Sequence, residues 1–301
     1  MPDEVRRLRS YLLENYTQSL TLDKMSQVAA LNKYYLEKLF KKYVGYSPTQ
    51  YLIHLRLTKS KELLRSTSMI EEGDRIAVGV SGGKDSLTLL AVLAALRAYY
   101  PKHFELEAVT VDMGLEGMDF SGVEAFCRER EIPYTLVHTE IGKIIFDYRE
   151  EKNPCSLCAK MRRGALHDVL LAHGCNKIAL GHHYDDAVET FLMSLFYEGR
   201  ISCFEPVTYL TRTGITQIRP MLYIGEKAIA HFAEREGLPV VHNTCPADKH
   251  TKRQEVKELI ASLQEQYPDL KTKLFGAMTA PFRPVTLICG RANGSGRRAR
   301  M

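Results

Sequence analysis

The apolar positions of this chain change period along its length, and the change marks its organisation. Residues 1–68 follow a helical period. Val5–Tyr16 carries Val5, Leu8, Leu12 and Leu13, and Thr21-Leu22-Asp23 reads as a capped start for a second helix over Asp23–Ala30. A third runs from Tyr34 to Tyr43, with Leu36, Leu39 and Phe40 inward and lysines outward, and Gly45 stops it. Ser47-Pro48 opens a long helix through Leu52, Leu55, Leu57, Leu63 and Leu64. From residue 70 the pattern becomes strand, turn, helix. Ile76–Val80, Glu105–Asp112, Pro133–His138 and Lys177–Gly181 read as strands. Gln217–Arg219 and Leu238–Val241 read as short extended pieces, with a helix from Gly225 to Glu236 between them. The other helices are Val123–Arg130, residues 164–174 and Ala187–Tyr197. This alternation predicts an α/β fold, a doubly wound parallel sheet preceded by a small all-α module, with ligands at the carboxyl ends of the strands. The division is 1–68, 69–280 and a basic, Gly- and Arg-rich tail over 281–301 expected to be disordered.

The sharpest motif follows the first strand. Ser81-Gly82-Gly83-Lys84-Asp85-Ser86 leads directly into a helix bearing Leu87, Leu89, Leu90, Leu93 and Leu96. Two glycines permit a tight turn and close approach to a ligand. Backbone N–H groups at the helix start, with Lys84, favour an anion. The expected occupant is phosphate or pyrophosphate. The motif resembles the SGGxDS signature of the PP-loop ATP pyrophosphatases, which implies ATP at Ser81, Gly82, Gly83, Lys84, Asp85 and Ser86. Asp112 and Gly181 end neighbouring strands and are read with that nucleotide site; Asp112 as a plain strand cap is the competing reading.

A second constellation is Pro154-Cys155-Ser156-Leu157-Cys158, with Arg162-Arg163-Gly164 behind it. Two thiolates at this spacing can serve one metal centre. Of the remaining cysteines, Cys245 follows a predicted strand and should reach the same edge; a zinc knuckle or a thiol pair are the alternatives to an iron–sulfur cluster. The third constellation is Gly181-His182-His183-Tyr184-Asp185-Asp186, where paired carboxylates at a strand end suit Mg²⁺, unless Asp186 only caps the helix.

SGGKDS, PCSLC with RRG, and LGHHYDD, in this order, resemble the TtcA family of tRNA 2-thiocytidine synthetases over roughly residues 69–278. The resemblance implies an enzyme, an ATP-dependent tRNA sulfurtransferase. It would adenylate the 2-carbonyl of an anticodon-loop cytidine, and sulfur held on a 4Fe–4S cluster would replace the oxygen. It assigns Cys155, Cys158 and Cys245 to the cluster, and Asp185, Arg162 and Lys84 to catalysis. Cofactors would be ATP, Mg²⁺ and the cluster. Partners would be tRNA and a sulfur donor, either sulfide or a cysteine desulfurase, with a homodimer admitted. A tRNA 2-thiouridine synthetase is the runner-up.

Residues 20–64 resemble the first half of an AraC-type DNA-binding domain, whose second helix-turn-helix is missing here. That implies DNA contact through Lys33, Tyr34 and Lys38, and a second class of function, a regulator with a nucleotide-sensing domain; a sensor would not need CxxC beside GHHYDD. Net charge is +5, which fits a phosphate-backbone partner. Candidate RNA contacts are Lys160, Arg162, Arg163, Arg200, Lys249, Lys252 and Arg253. Seven cysteines, an odd count, point to a reducing compartment; with no leader or apolar span visible, a cytoplasmic protein that avoids membranes is expected.

Overall fold

The structure is a computed structural model and describes residues 1–16, 20–55, 58, 68–149, 154–247 and 251–279. Three helices open the chain: α1 (Asp3–Asn15), α2 (Leu22–Ala29) and α3 (Lys33–Val44). A fourth, α4, covers 48–55. Their ends follow from local chemistry. Thr21 caps α2 by accepting from Lys24 N–H at 3.3 Å, and Asn32 caps α3 through Tyr35 N–H at 2.9 Å. Ser47 and Gln50 bond each other's backbone reciprocally at the start of α4. Val5, Leu8, Leu12, Met25, Ala29, Leu36, Phe40 and Leu52 form an apolar cluster of their own. Leu13, the fourth apolar residue of that helix, is exposed. The far part of the long helix, with Leu57, Leu63 and Leu64, lies outside the described residues, as does the tail from 281.

The sheet has six strands: β1 (Asp74–Gly79), β2 (Phe104–Asp112), β3 (Tyr134–His138), β4 (Lys177–Ala179), β5 (Val207–Leu210) and β6 (Ile215–Ile218), in the order β3-β2-β1-β4-β6-β5. All neighbours are parallel except β5, which pairs antiparallel with β6 at the edge. The sequence reading did not include β5. It placed another strand at Leu238–Val241, but that segment joins no ladder; Val241 N–H instead bonds Gly82 C=O at 2.9 Å, so it lies over the glycine turn.

Alternate strand residues enter different cores, as a two-residue period requires. Ile76 and Val78 of β1 and Leu106 and Ala108 of β2 pack with α5 (Lys84–Arg97), α6 (Ser121–Glu129) and α10 (Glu226–Arg235). Ala77 and Val109 face the opposite side, against Leu166, Val169 and Leu170 of α8 (Pro154–Ala172). Burial of both faces explains the unbroken apolar runs. Between β3 and α8 lies a short helix, α7 (Ile141–Lys143), continued by a π-helical turn, Ile144–Tyr148. A further cluster joins α9 (Tyr184–Glu198), α11 (Lys252–Gln266) and α12 (Leu270–Thr279) through Val188, Leu192, Val256, Ile260 and Phe275. Strand order reverses between β1 and β4, which opens a crevice above their carboxyl ends. Among the described residues no helix is long and apolar enough to cross a membrane.

Candidate functional site: a phosphate loop beside a three-thiol cavity

Ser81–Gly83 turn the chain from β1 into α5. Gly82 has φ +82°, and a Cβ there would lie 2.7 Å from the Val241 Cβ, so both backbone angle and space exclude a side chain. Ser86 Oγ accepts from Ser81 N–H at 3.1 Å and donates to Gly83 C=O at 2.9 Å, which braces the loop from inside. Gly83 caps α5 without a side chain, so among the described residues no capping side chain takes the N–H groups of the first turn. Gly181 sits against this turn: a Cβ would come within 3.0 Å of the Asp85–Ser86 backbone. Its place is close packing beneath the loop.

The charges around the loop form one network. Lys84 Nζ lies 3.1 Å from Asp85 and 3.2 Å from Glu226, and Glu226 in turn meets Lys257 at 2.9 Å. Burial alone would raise the Glu226 carboxyl, but hydrogen bonds and charge from Lys257 and Lys84 outweigh it and hold it at about 2. Burial would likewise lower Lys84; Asp85 and Glu226 reverse that and raise it. Asp185 is buried. One oxygen meets Lys271 at 2.7 Å, and the other accepts from Glu226 N–H at 2.7 Å, at the start of α10. Asp186 and His183 form a capping box for α9, and Asp186 also faces Arg253 at 3.5 Å. Both carboxylates expected to hold Mg²⁺, Asp185 and Asp186, thus carry protein partners in this structure. Asp85 also pairs with Lys84, whose Nζ lies 3.1 Å from Oδ1 and 3.2 Å from Oδ2.

Asp112 is likewise engaged. Its carboxylate accepts from Gly114 N–H at 2.9 Å and meets His138 at 3.0 Å, while its carbonyl accepts from Thr139. It shapes the turn after β2, and that turn presents Met113 to the second half of the site: Met113 Sδ is 3.3 Å from Cys158 Sγ. Pro154 starts α8, a position that needs no N–H donor, and places Cys155 and Cys158 one turn apart on one face. Cys245 comes from the loop that covers Gly82. The three cysteines and Arg162 line one cavity of about 260 Å³, walled by Met113, Ile141, Ile145 and Phe146. Three residues separate Val241, against Gly82, from Cys245, a reach of at most about 14 Å. Burial raises the Cys158 thiol, against the opposing pull of Arg162. Cys155 is exposed at the cavity mouth.

The other described cysteines are elsewhere. Burial pushes Cys175 up to about 12 and Cys127 to about 11, and Cys203 donates to Ala187 C=O. No three His, Cys, Asp or Glu side chains among the described residues converge tightly enough to hold a single metal ion. A zinc knuckle needs such convergence, whereas a cluster takes one thiolate per iron and tolerates spread sulfurs. Three thiols around a largely apolar cavity fit a cluster.

The residues expected to touch nucleic acid divide. Arg253 pairs with Glu189 at 3.0 Å and Thr190 at 3.1 Å while part of its side chain stays exposed. Lys252 pairs with Glu255 and Arg200 with Glu198. Lys33 pairs with Asp23 at 2.6 Å, and Lys38 lies over the Tyr34 ring at 4.4 Å. Arg163 stays exposed on the outer face of α8, and Lys249 lies outside the described residues. Sequence reasoning missed Glu226, Lys257 and Lys271, which complete the loop's charge network from α10, α11 and α12; a lone Glu after Gly225 and lysines on amphipathic helices carried no distinguishing signal.

Known proteins share this arrangement. Residues 55–263 match the PP-loop domain family. A tRNA-cytidine(32) 2-sulfurtransferase of Syntrophotalea carbinolica is 44% identical over 214 residues, 70% of this chain and 83% of that protein. The chain belongs to the tRNA-cytidine 2-sulfurtransferase family of PP-loop proteins. The sulfurtransferase of Geobacter metallireducens is 41% identical over the same shares of the two chains. Among solved structures, the U34-tRNA thiolase NcsA of Methanococcus maripaludis with its [4Fe-4S] cluster aligns with TM-score 0.60 and 27% identity, covering 74% of this chain and 77% of its own. Residues 12–52 match the AraC family of bacterial regulatory helix-turn-helix proteins, ahead of the sulfurtransferase region.

Proposed function

We propose that this protein is an ATP-dependent tRNA sulfurtransferase that exchanges the 2-oxygen of an anticodon-loop cytidine for sulfur. The observation that carries this reading is the seating of Cys155, Cys158 and Cys245 around one cavity, tied to the phosphate loop through Val241. A pyrimidine carbonyl is a poor electrophile, and its oxygen is a poor leaving group. Attack of that oxygen on the α-phosphorus of ATP releases pyrophosphate and makes AMP the leaving group. The N–H groups of the Gly82–Lys84 turn hold the departing pyrophosphate, and Lys84, which Glu226 keeps charged and aimed, offsets its charge. Asp85, half-buried in the first turn of α5 beside Lys84, is a carboxylate suited to the Mg²⁺ that accompanies the phosphates. Asp185 positions α10, and so Glu226.

Cys155, Cys158 and Cys245 would hold a 4Fe–4S cluster, which when bound supplies the incoming sulfur. Arg162, on the same wall, places positive charge where the oxygen leaves. Met113, Ile141, Ile145 and Phe146 keep water from that point. Sulfur reaches the site from an external donor, sulfide or a desulfurase.

The test is direct. Protein purified without oxygen is incubated with tRNA, ATP, Mg²⁺ and sulfide, and the nucleosides are analysed by mass. 2-Thiocytidine is expected. Sulfur in uridine would shift the assignment to a 2-thiouridine synthetase, and no thionucleoside from cluster-loaded protein would overturn the reading. The AraC-like match favours a second role for the helical module: exposed Tyr34, Tyr35 and Lys38 on α3 contacting duplex DNA, to be read by a mobility shift.

A further inference from the structure

The helix that carries the CxxC pair has two working faces. Cys155, Cys158 and Arg162 line the thiol cavity. Lys160, Arg163 and His167, on the other side, line a larger groove of about 880 Å³, closed opposite by Tyr209 and Arg212 of the β5–β6 hairpin. Ala159 borders both spaces, so a single residue's width of helix separates them.

Three properties of the groove point to one occupant. The first is unneutralised charge. Lys160, Arg163 and Arg212 are exposed, and among the described residues none of them makes an ion pair with a carboxylate, whereas Lys84, Lys257, Lys271 and Arg253 all do. Asp168 is the one acid on the lining. Burial, then the neighbouring Arg163 charge, lower the His167 pKa over the weaker pull of Asp168. The second is an aromatic face. Tyr209, on the edge strand β5, is 62% exposed and presents its ring to the groove's lining. The third is access. Gly164 lies inside α8 with nothing within 4 Å of where a Cβ would stand. Glycine there weakens the helix by about 1 kcal/mol against alanine and fills no packing need, but it opens the helix backbone to a close-lying chain.

Cations at intervals, an exposed ring and an open backbone are what a single nucleic-acid strand uses. We propose that this groove seats the RNA strand adjoining the target base. Lys160, Arg163 and Arg212 take its phosphates, a base stacks on Tyr209, and the target base crosses the Ala159 ridge into the thiol cavity. The proposal rests on the thiolase reading and adds the path by which the substrate arrives. It assigns substrate binding to the β5–β6 hairpin, which carries none of the motifs.

The experiment measures tRNA binding by the full-length, cluster-loaded protein across a salt series. Replacing Lys160, Arg163 and Arg212 together by alanine is expected to lower the slope of log affinity against log salt by about 2, the share of three single-strand phosphates. Tyr209→Ala is expected to weaken binding about tenfold without changing the slope, and Tyr209→Phe to restore it. Arg212→Glu, on an exposed turn, serves as a single change that the fold tolerates. Iron absorbance and nucleotide binding should stay at the wild-type level in every variant. Wild-type affinity and slope in these variants would overturn the groove while leaving the thiolase reading intact if the parent still thiolates tRNA. A parent that neither binds nor thiolates tRNA would remove both. Displacement of bound polyglutamate, but not of tRNA, by these changes would mark the groove as a protein-docking surface and overturn the proposal.

Discussion

The phosphate loop and the thiol cavity occupy neighbouring strand ends and are built in opposite ways. The loop is one contiguous stretch, Ser81–Ser86, shaped by bonds among its own atoms and by Val241 above it. Its charges are paired in advance with α10, α11 and α12. The cavity is assembled from four stretches: the turn after Asp112, α7 with its π-helical turn, the start of α8 and the loop around Cys245. Its side-chain bridges are soft ones, the Cys158–Met113 sulfur contact and a Cys158–Arg162 hydrogen bond. The loop is thus preorganised before its ligand arrives, while the cavity leaves its polar atoms to be completed by what it binds. Activation needs a rigid anion site, because misplaced donors lose their electrostatic effect. Ligation supplies its own geometry.

If the two are separable, crossing substitutions should dissociate them, with the largest effects of any change considered. Cys155→Ala is expected to cut thiolation by more than about a hundredfold, since even outer partners of a metal site are worth 10–100-fold, while nucleotide affinity stays unchanged. Gly82→Ala should do the reverse. The new Cβ meets Val241 at 2.7 Å and sits at φ +82°, so adenylation should fall by about a hundredfold or more with iron content retained. Pyrophosphate release and visible absorbance read the two sides. Loss of nucleotide binding in a folded Cys155→Ala protein would show one unit in place of two.

The contrast also explains what the sequence could reveal. The loop was legible because its demands are local: a glycine at positive φ, a helix start, a strand before it. CxxC was legible for the same reason. Cys245 could be singled out from its position alone, although the strand expected before it is absent and residues 238–241 cover the loop instead. The ion-pair partners were not legible. Asp185 looks like an open carboxylate until Lys271, 86 positions away, is seen against it. Nothing around Arg253 in the sequence announces its pair with Glu189, 64 positions away. Such pairs depend on how α9, α11 and α12 dock, and no periodicity encodes that. Edge strand β5, four residues long, gave too short a pattern to read.

A smaller effect sharpens the preorganisation side. Glu226 is held at about 2, below the ordinary carboxylate value. A depressed carboxyl stabilises the fold above its unfolded pKa, and that contribution is lost as pH falls through the folded one. Glu226→Gln should therefore cost about 2–3 kcal/mol at pH 7, and the gap from wild type should shrink by about half near pH 3. Denaturant midpoints across that range check it. A gap independent of pH would mean that the network around Lys84 does not depend on the charge of Glu226.

The smallest effect is expected from removing the helical module. Its apolar cluster is separate, and every residue of the loop and the cavity lies beyond position 80. A cut after residue 66 keeps the Ser68 and Met69 carbonyls, which accept from Lys177 at 3.2 and 3.1 Å. Thiolation by the truncated protein should remain within about twofold, the scale of uncoupled distant changes. One link bears on that figure. Burial raises the Tyr11 hydroxyl, and the charge of Asp269 adds to the shift, so the module is sensed just ahead of α12. Lys271 on that helix holds Asp185, Asp185 holds the start of α10, and Glu226 there holds Lys84. A single long-range charge is too weak to move that chain of contacts. If truncation nonetheless changed nucleotide affinity tenfold while leaving iron content alone, the signal would have travelled along α12 into the phosphate loop, and the loop's network would be a receiver as well as a brace.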